Sequence, residues 1–600
     1  MTKQFQAITI VVLALCVMSA QAQTSATASS NETPHRRAAK KKAPAESAIG
    51  REIRELREQL QTMQTQIDSL KQQNADKDAK LATATQDAQA ANAAAAQSTE
   101  QAEKVSSSVQ SNTAAVTALN SDVKDLKSAN TGMAKTIADT KNDLTKKIDE
   151  PLALHYKGIK ITPVAFFAFE TVWRQRAMNA DINTPFTSTP FANAGNAHMS
   201  EFNFSGRQSR IGGLFEGDTH SVKLKGYIEA DFLSSGTTSN NNQSNSYTMR
   251  QRQFWGQAGF KNGFTVTGGQ MWSLVTETKK STDNGTENLP ANVDAQYNVG
   301  FSWLRLPAIR FQQKLGGITT VAAALENGQI TGFDKGGANG PTNYFFGGTG
   351  NNGGLYNTTT TYTNNVAPDL VAKAAFDPKF GHFEVGGALR FFRDRYYPDA
   401  SATPPSSAGA KNDTKLAGGI FANARVKATK YASIGVHFLG GDGVGRYGTS
   451  GLSDATVHPD GTLEPLHAYQ GLFSLELHPT PKLDLFGYAG GEYVQRTLYV
   501  NSKGQEVGYA PSSQNNSDCF TEGLPSGAAT SPAGSCSALT RSVFEGTGGF
   551  TYRFYNSPKY GRFQYEVQYS YLSKGTWAGI GGAPKATNNM VFTGMRYYIP

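Results

Sequence analysis

Charged and polar side chains recur at every second position through long stretches of this chain, opposite aromatic ones. Between Tyr560 and Leu572, Phe563, Tyr565, Val567, Tyr569 and Tyr571 alternate with Arg562, Gln564, Glu566, Gln568 and Ser570. Val222, Leu224, Ile228 and Phe232 stand in the same way against Lys223, Lys225, Tyr227, Glu229 and Asp231. A period of two places the two sets on opposite faces of a strand. In a closed sheet with lipid outside, the charged face lines a lumen. Such residues make and break no covalent bonds; they select what passes by the field they set up. The parity assigns Lys223, Lys225, Glu229, Asp231, Arg310, Lys314, Lys373, Arg390, Lys415, Arg425, Arg553, Arg562 and Arg596 to the pore lining. Glu326, Glu384, Asp484, Glu492, Glu545 and Glu566 face them. The basic excess implies a weak to moderate preference for anions. Pairing of opposite charges across strands would cancel it, and the alternation leaves both readings open.

Chemistry of other kinds finds little support. There is no HExxH, no CxxC and no group of histidines at metal-ligand spacing. His382 and His437 stand without partners at suggestive spacing. We therefore expect no catalytic residue, no metal and no cofactor, and a barrel enzyme is the weakest of the readings.

The elements that would position the charges follow from the connections. Short turns fall at 217–220, 261–263, 316–317, 377–381, 428–430, 479–482 and 556–560. They alternate with long Asn/Gly/Ser/Thr-rich stretches such as 327–366, 442–465 and 501–540. This is the pattern of a transmembrane antiparallel β-barrel with periplasmic turns and extracellular loops. About sixteen strands fit between the connections, and eighteen are compatible, enough for an aqueous lumen. A composition of 61 Gly, 24 Tyr and 33 Phe agrees, because only alternate residues need be apolar. Residues 273–306 differ from the other loops. They carry Glu277, Lys279, Lys280, Asp283, Glu287, Asp294 and Arg305 together with an apolar run, Phe301 to Leu306. This loop is expected to fold into the lumen and narrow it; an extra strand from Gln296 to Leu304 is the alternative.

The N-terminal quarter is of another kind. Lys3, an apolar run from Ala7 to Val17 and Ala20-Gln21-Ala22 make residues 1–22 a secretory signal peptide. Residues 23–48 form a flexible basic linker whose Arg36, Arg37, Lys40, Lys41 and Lys42 could meet the cell wall or another anionic surface. From Ile53 a heptad begins, with Leu60, Ile67, Val109, Val116, Val123, Asn130 and Ile137 at a and Leu56, Leu70, Val105, Leu119, Leu126 and Met133 at d. Residues 49–150 therefore read as a long α-helical coiled coil, ended by Pro151, that would stand in the periplasm. Residues 152–600 are left for the barrel. Of three cysteines, Cys16 lies in the signal, and Cys519 and Cys536 are expected to form a disulfide in an oxidising compartment. The net charge of +9 is spread over all parts, and export excludes nucleic acid as a partner.

The chain ends on Gly594-Met595-Arg596-Tyr597-Tyr598-Ile599-Pro600, which is similar to the C-terminal insertion signal of outer-membrane barrels, with Ile599 where Phe is usual. Together with Arg207-Gln208-Ser209-Arg210-Ile211-Gly212, Met249-Arg250-Gln251-Arg252 and Gly269-Gln270-Met271-Trp272-Ser273, the layout resembles the DcaP-like trimeric porins and, more distantly, the phosphate-selective porins. The resemblance implies a homotrimer in outer-membrane lipid that passes anionic solutes such as dicarboxylates. It also implies that Arg207, Arg210, Arg250 and Arg252 face the lumen. Parity alone does not decide it: Arg207 and Arg210 have opposite parity, so both face the lumen only with a bulge, and Arg250 and Arg252 share theirs with Phe254 and Phe260, which should face lipid. A structural tether from outer membrane to cell wall, through the coil and the basic linker, is the alternative function.

Overall fold

The computed structural model describes residues 77, 80, 83, 102–149 and 154–600, apart from 235–238, 240, 242–243, 331–332, 335, 348–352, 355–356, 362 and 525–535. The signal peptide, the basic linker and most of the first half of the heptad segment lie outside these residues. Helix α1 (Ala102–Asp149) runs for 48 residues. Its least exposed positions among 113–141 are Val116, Leu119, Val123, Leu126, Asn130 and Ile137, all at a or d of the heptad. No helix among the described residues is long and apolar enough to cross a membrane, a statement that leaves strands aside.

Beyond residue 158 the chain forms a closed antiparallel barrel of sixteen strands. In order these are β1 (Ile159–Arg174), β2 in two segments (Glu201–Ser205 and Arg210–Asp218), β3 (Val222–Asp231), β4 (Arg250–Phe260), β5 (Phe264–Trp272), β6 (Arg305–Leu315), β7 (Thr319–Glu326) and β8 (Asp369–Phe376). There follow β9 (Gly381–Tyr396), β10 (Lys411–Thr429), β11 (Ala432–Asp442), β12 (His467–Thr480), β13 (Leu483–Val494), β14 (Thr540–Ser557), β15 (Gly561–Thr576) and β16 (Lys585–Tyr598). The barrel closes where β16 pairs with β1, from Phe166 opposite Tyr598 to Arg174 opposite Met590. Closure satisfies every strand edge, which a hydrocarbon environment demands.

The period of two decides which face looks inward. On β15, Gln564, Glu566, Gln568 and Ser570 are buried in the interior, while Tyr565, Tyr569 and Tyr571 remain exposed outside. Phe167, Phe169, Phe202, Phe204, Phe254, Ile420 and Phe438 continue this apolar outer surface. The seven short connections fall where the turn residues predict them, all at one end of the barrel. At the other end Cys519 and Cys536 are joined by a disulfide within the loop between β13 and β14.

A candidate pore and its constriction

The loop between β5 and β6, residues 273–304, enters the lumen and crosses to the opposite wall. Its first turn is clasped by Glu326 of β7, which accepts from Ser273 Oγ (2.8 Å) and from the Leu274 N–H (2.7 Å). Lys373 then donates to the Thr276 carbonyl (2.9 Å), and Glu384 accepts from the Thr278 N–H (3.1 Å). On the return the loop leans on β13 to β15. Gln568 Oε1 accepts from the N–H groups of Val293 and Asp294, Glu545 from that of Val299 (2.9 Å), and Glu492 from that of Gly300 (2.9 Å). Backbone donors taken out of water must find acceptors, and here the wall supplies them as side chains. A strand from Gln296 to Leu304 therefore does not form, since these groups bond to side chains rather than to a neighbouring ladder.

Two glycines let the loop lie flat. A Cβ on Gly490 would overlap the Val299 carbonyl, and one on Gly300 (φ +85°) would overlap the Gly471 carbonyl. Apolar packing completes the seat: Val293, Val299 and Leu304 join the interior core, and the Trp272, Tyr297 and Phe301 rings pack together in edge-on and tilted contacts.

A second loop also turns inward. Residues 442–465, expected at the surface, place Val444, Arg446, Tyr447 and Leu452 in the interior. Trp303 Nε1 donates to the Gly448 carbonyl (2.8 Å), and Asp454 accepts from the Arg446 N–H (3.0 Å) while pairing with Arg390 (3.3 Å). The signal missed was of the kind used for residues 273–306: Val444, Tyr447 and Leu452 are apolar residues with no use at a wetted surface.

Most inward charges are paired. Lys373 meets Glu384 (2.8 Å), Arg390 meets Asp369 (3.0 Å), and Arg425 meets Glu277 (3.0 Å) and Glu476 (3.3 Å). Arg596 meets Glu170 (2.7 Å) and Glu566 (3.2 Å), and Arg553 pairs with Asp484. Arg310 is buried and donates to the Trp272 and Thr282 carbonyls. Toward the rims, Lys415 stands 3.7 Å from Asp413, Arg562 covers the Tyr598 ring, and Lys223, Lys225 and Lys314 are exposed. At the loop tip Lys279, Lys280 and Asp283 are exposed and Glu287 is half-buried.

The four pattern arginines all reach the interior, through two irregularities. Between the segments of β2, residues 206–209 make a turn, the Ser209 N–H donating to the Gly206 carbonyl (3.0 Å). This rephases the strand, so Arg207 meets Asp181 (3.0 Å) and Arg210 meets Glu229 (3.4 Å). On β4 a bulge leaves Arg252 unpaired in the ladder, with Gln253 opposite Glu229 and Gln251 opposite Ala230. One extra residue reverses the parity. Arg250 and Arg252 thus face Asp231 (2.9 and 2.6 Å) although Phe254 faces outward. Arg305 joins them, its guanidinium 4.9 Å from the Trp272 ring centre, and forms no ion pair among the described residues. In the loop, burial lifts the Asp294 carboxyl to about 6 against hydrogen bonds from Thr184 and the charge of Arg174, and burial likewise raises Glu277.

No family model matches this chain, and no curated protein sequence does. Among solved structures, its barrel matches the outer membrane channel DcaP of Acinetobacter baumannii. The match has a TM-score of 0.51 at 15% identity and covers 74% of this chain and 99% of that one. The chain has the fold of an outer-membrane channel. An anion-selective porin from Comamonas acidovorans (10% identity, TM-score 0.38, 74% and 100% covered) and OprB of Pseudomonas putida (12%, 0.39, 76% and 97%) are also similar, at a level that carries no argument.

In this channel fold, His437 has partners that its sequence position did not suggest. Its Nε2 lies 2.9 Å from Ser302 Oγ of the loop, and its Nδ1 meets Asn423 Oδ1. Gln470 also donates to Ser302 Oγ (2.7 Å). The adjoining cavity measures about 10 Å³, room for one water and no substrate. The array holds the loop to β10, β11 and β12.

Proposed function

We propose that this protein is an outer-membrane porin, a passive diffusion channel for small hydrophilic anions of the dicarboxylate kind. The observation that carries the reading is an imbalance beside the constriction: Arg207, Arg210, Arg250, Arg252 and Arg305 share three carboxylates, Asp181, Glu229 and Asp231. Elsewhere on the wall most cations are paired, and Glu326, Glu492 and Glu545 are bonded to loop N–H and hydroxyl groups, so this cluster is where positive charge is left in excess. A low-dielectric wall focuses the field of such an excess.

In this reading residues 1–22 are removed on export, residues 23–48 form a linker, residues 49–150 form a periplasmic coiled coil that spaces or oligomerises the molecule, and residues 152–600 sit in outer-membrane lipid as one barrel of a homotrimer. The a/d stripe of α1 supports association of copies through that helix. The same helix serves the second reading, a tether to the cell wall through Arg36, Arg37, Lys40, Lys41 and Lys42. Single-channel recording in a planar bilayer under a salt gradient tests the first reading. Conductance in groups of three steps with an anion-selective reversal potential is expected. Cation selectivity would overturn the charge assignment, and no conductance from folded protein would leave the tether. Deleting residues 35–148 should alter membrane spacing only if the tether operates.

A further inference from the structure

The constriction loop carries one phenol to the arginine cluster. Tyr297 is 9% exposed, and its backbone holds φ +66°, the left-handed region that bulky residues seldom occupy. The ring is fixed between Trp272 (5.9 Å, edge-on) and Phe301 (5.2 Å). This aims the hydroxyl at Arg252, whose Nη2 donates to it at 3.2 Å. Arg252 already bonds to Glu229 and Asp231, so it does not need the phenol as a partner. Among the described residues Arg305 lacks such partners: its Nη1 is buried without a hydrogen bond. Burial opposes ionisation of the phenol, yet Arg252, Arg210 and Arg305 outweigh it and hold the hydroxyl below the usual tyrosine range. An oxygen polarised toward negative charge thus sits where positive charge is in excess, on a loop whose backbone is strained at that residue.

We propose that Tyr297 is a tethered competitor of the permeating anion. Its phenolic oxygen occupies the place beside Arg252 that a carboxylate takes in passage, and it withdraws when one arrives. Withdrawal releases the left-handed backbone, which offsets part of the lost contact. The consequence is specificity with weak holding, as conduction requires: an anion must displace a resident oxygen, so only one able to engage the guanidiniums pauses there, and none stays long. This rests on the anion-channel reading above and names the residue that sets its selectivity.

The test uses the full chain in planar bilayers and in detergent, with malonate as the probe and Tyr297→Phe as the variant. Malonate should block the chloride current of the variant at a concentration about 10- to 100-fold lower than for the parent, the worth of one hydrogen bond to a charged group. Subtracting the variant's phenolate absorbance titration from the parent's should leave one tyrosine ionising before the others. Malonate at constant ionic strength should move that ionisation to higher pH. Equal block in both proteins, with no early phenol, would overturn the proposal while leaving an anion channel standing. An early, malonate-sensitive phenol in a protein that prefers cations would do the reverse, keeping the competitor and removing the anion-channel reading. Should Tyr297→Phe not fold, Trp272→Phe, which loosens the ring and keeps the hydroxyl, should show the same shift in block at smaller size; an unchanged block would overturn the proposal.

Discussion

The wall of β2, β3, β4 and β6 presents Arg207, Arg210, Arg250, Arg252 and Arg305 to the lumen, whereas the wall of β13, β14 and β15 presents Glu492, Glu545 and Glu566. The two differ in what their charges are used for. Glu492 accepts from Gly300, Thr449 and Ser450, Glu545 from Val299 and Thr547, and Glu566 pairs with Arg596. Those carboxylates are committed to seating two loops and a neighbouring strand. The arginines outnumber their carboxylate partners, so positive charge is left in excess on that wall. A residue's sign thus says little about selectivity until its partners are known.

The largest expected effect comes from pushing the loop off the carboxylate wall. In Gly490→Val the new side chain would occupy the space of the Val299 carbonyl, and single-channel conductance should rise several-fold, with more open-state noise. Unchanged conductance would mean that the loop does not limit flow. Next is the arginine wall. Arg252→Ala leaves Glu229 and Asp231, both buried, short of a partner, at a cost of about 3–5 kcal/mol. The thermal midpoint should fall and the reversal potential should move toward cations; a potential that stays anionic would show that Arg252 is not part of the selecting field.

A smaller effect joins the two walls through pH. Asp294 sits between Thr184, Arg174 and Glu545, with its carboxyl lifted to about 6 from 3.8 by burial. Because the folded value is the higher one, its protonation favours the seated loop. That contribution, on the order of 3 kcal/mol, is complete below about pH 4 and is lost as pH rises through 6. Conductance should therefore fall on acidification from pH 7 to 5, and Asp294→Asn should flatten the dependence. Ser302→Ala has the smallest effect, about 1 kcal/mol for the bond to His437, read as a modest rise in loop noise. No change in noise would show that Gln470 and the apolar seat suffice.

How much of this was legible before the structure depended on the range of the interaction. Phe563 to Tyr571 against Arg562 to Ser570 announces a two-faced strand, because parity is a local property, and the seven turns mark the strand ends for the same reason. The inward fold of residues 273–304 was legible from Trp303 and Leu304, which need burial. The same signal in Val444, Tyr447 and Leu452 was outweighed by the surrounding Gly, Ser and Asp. The facing of Arg250 and Arg252 was not legible, since a bulge costs little locally and is selected by what waits on the other side, here Glu229 and Asp231.

By itself, then, the sequence determined the barrel, a count of sixteen to eighteen strands, the helix with its a/d stripe and, where the ladder is regular, which residues of a strand share a face. Each of these follows from periodicity, and periodicity is carried by neighbours along the chain. Only the tertiary structure decided which charges cancel, which loops enter the pore and where spare positive charge collects. Those outcomes depend on ion pairs and hydrogen bonds between strands far apart in sequence, such as Arg596 with Glu170 and Gly300 with Glu492, whose meeting is fixed by closure of the barrel.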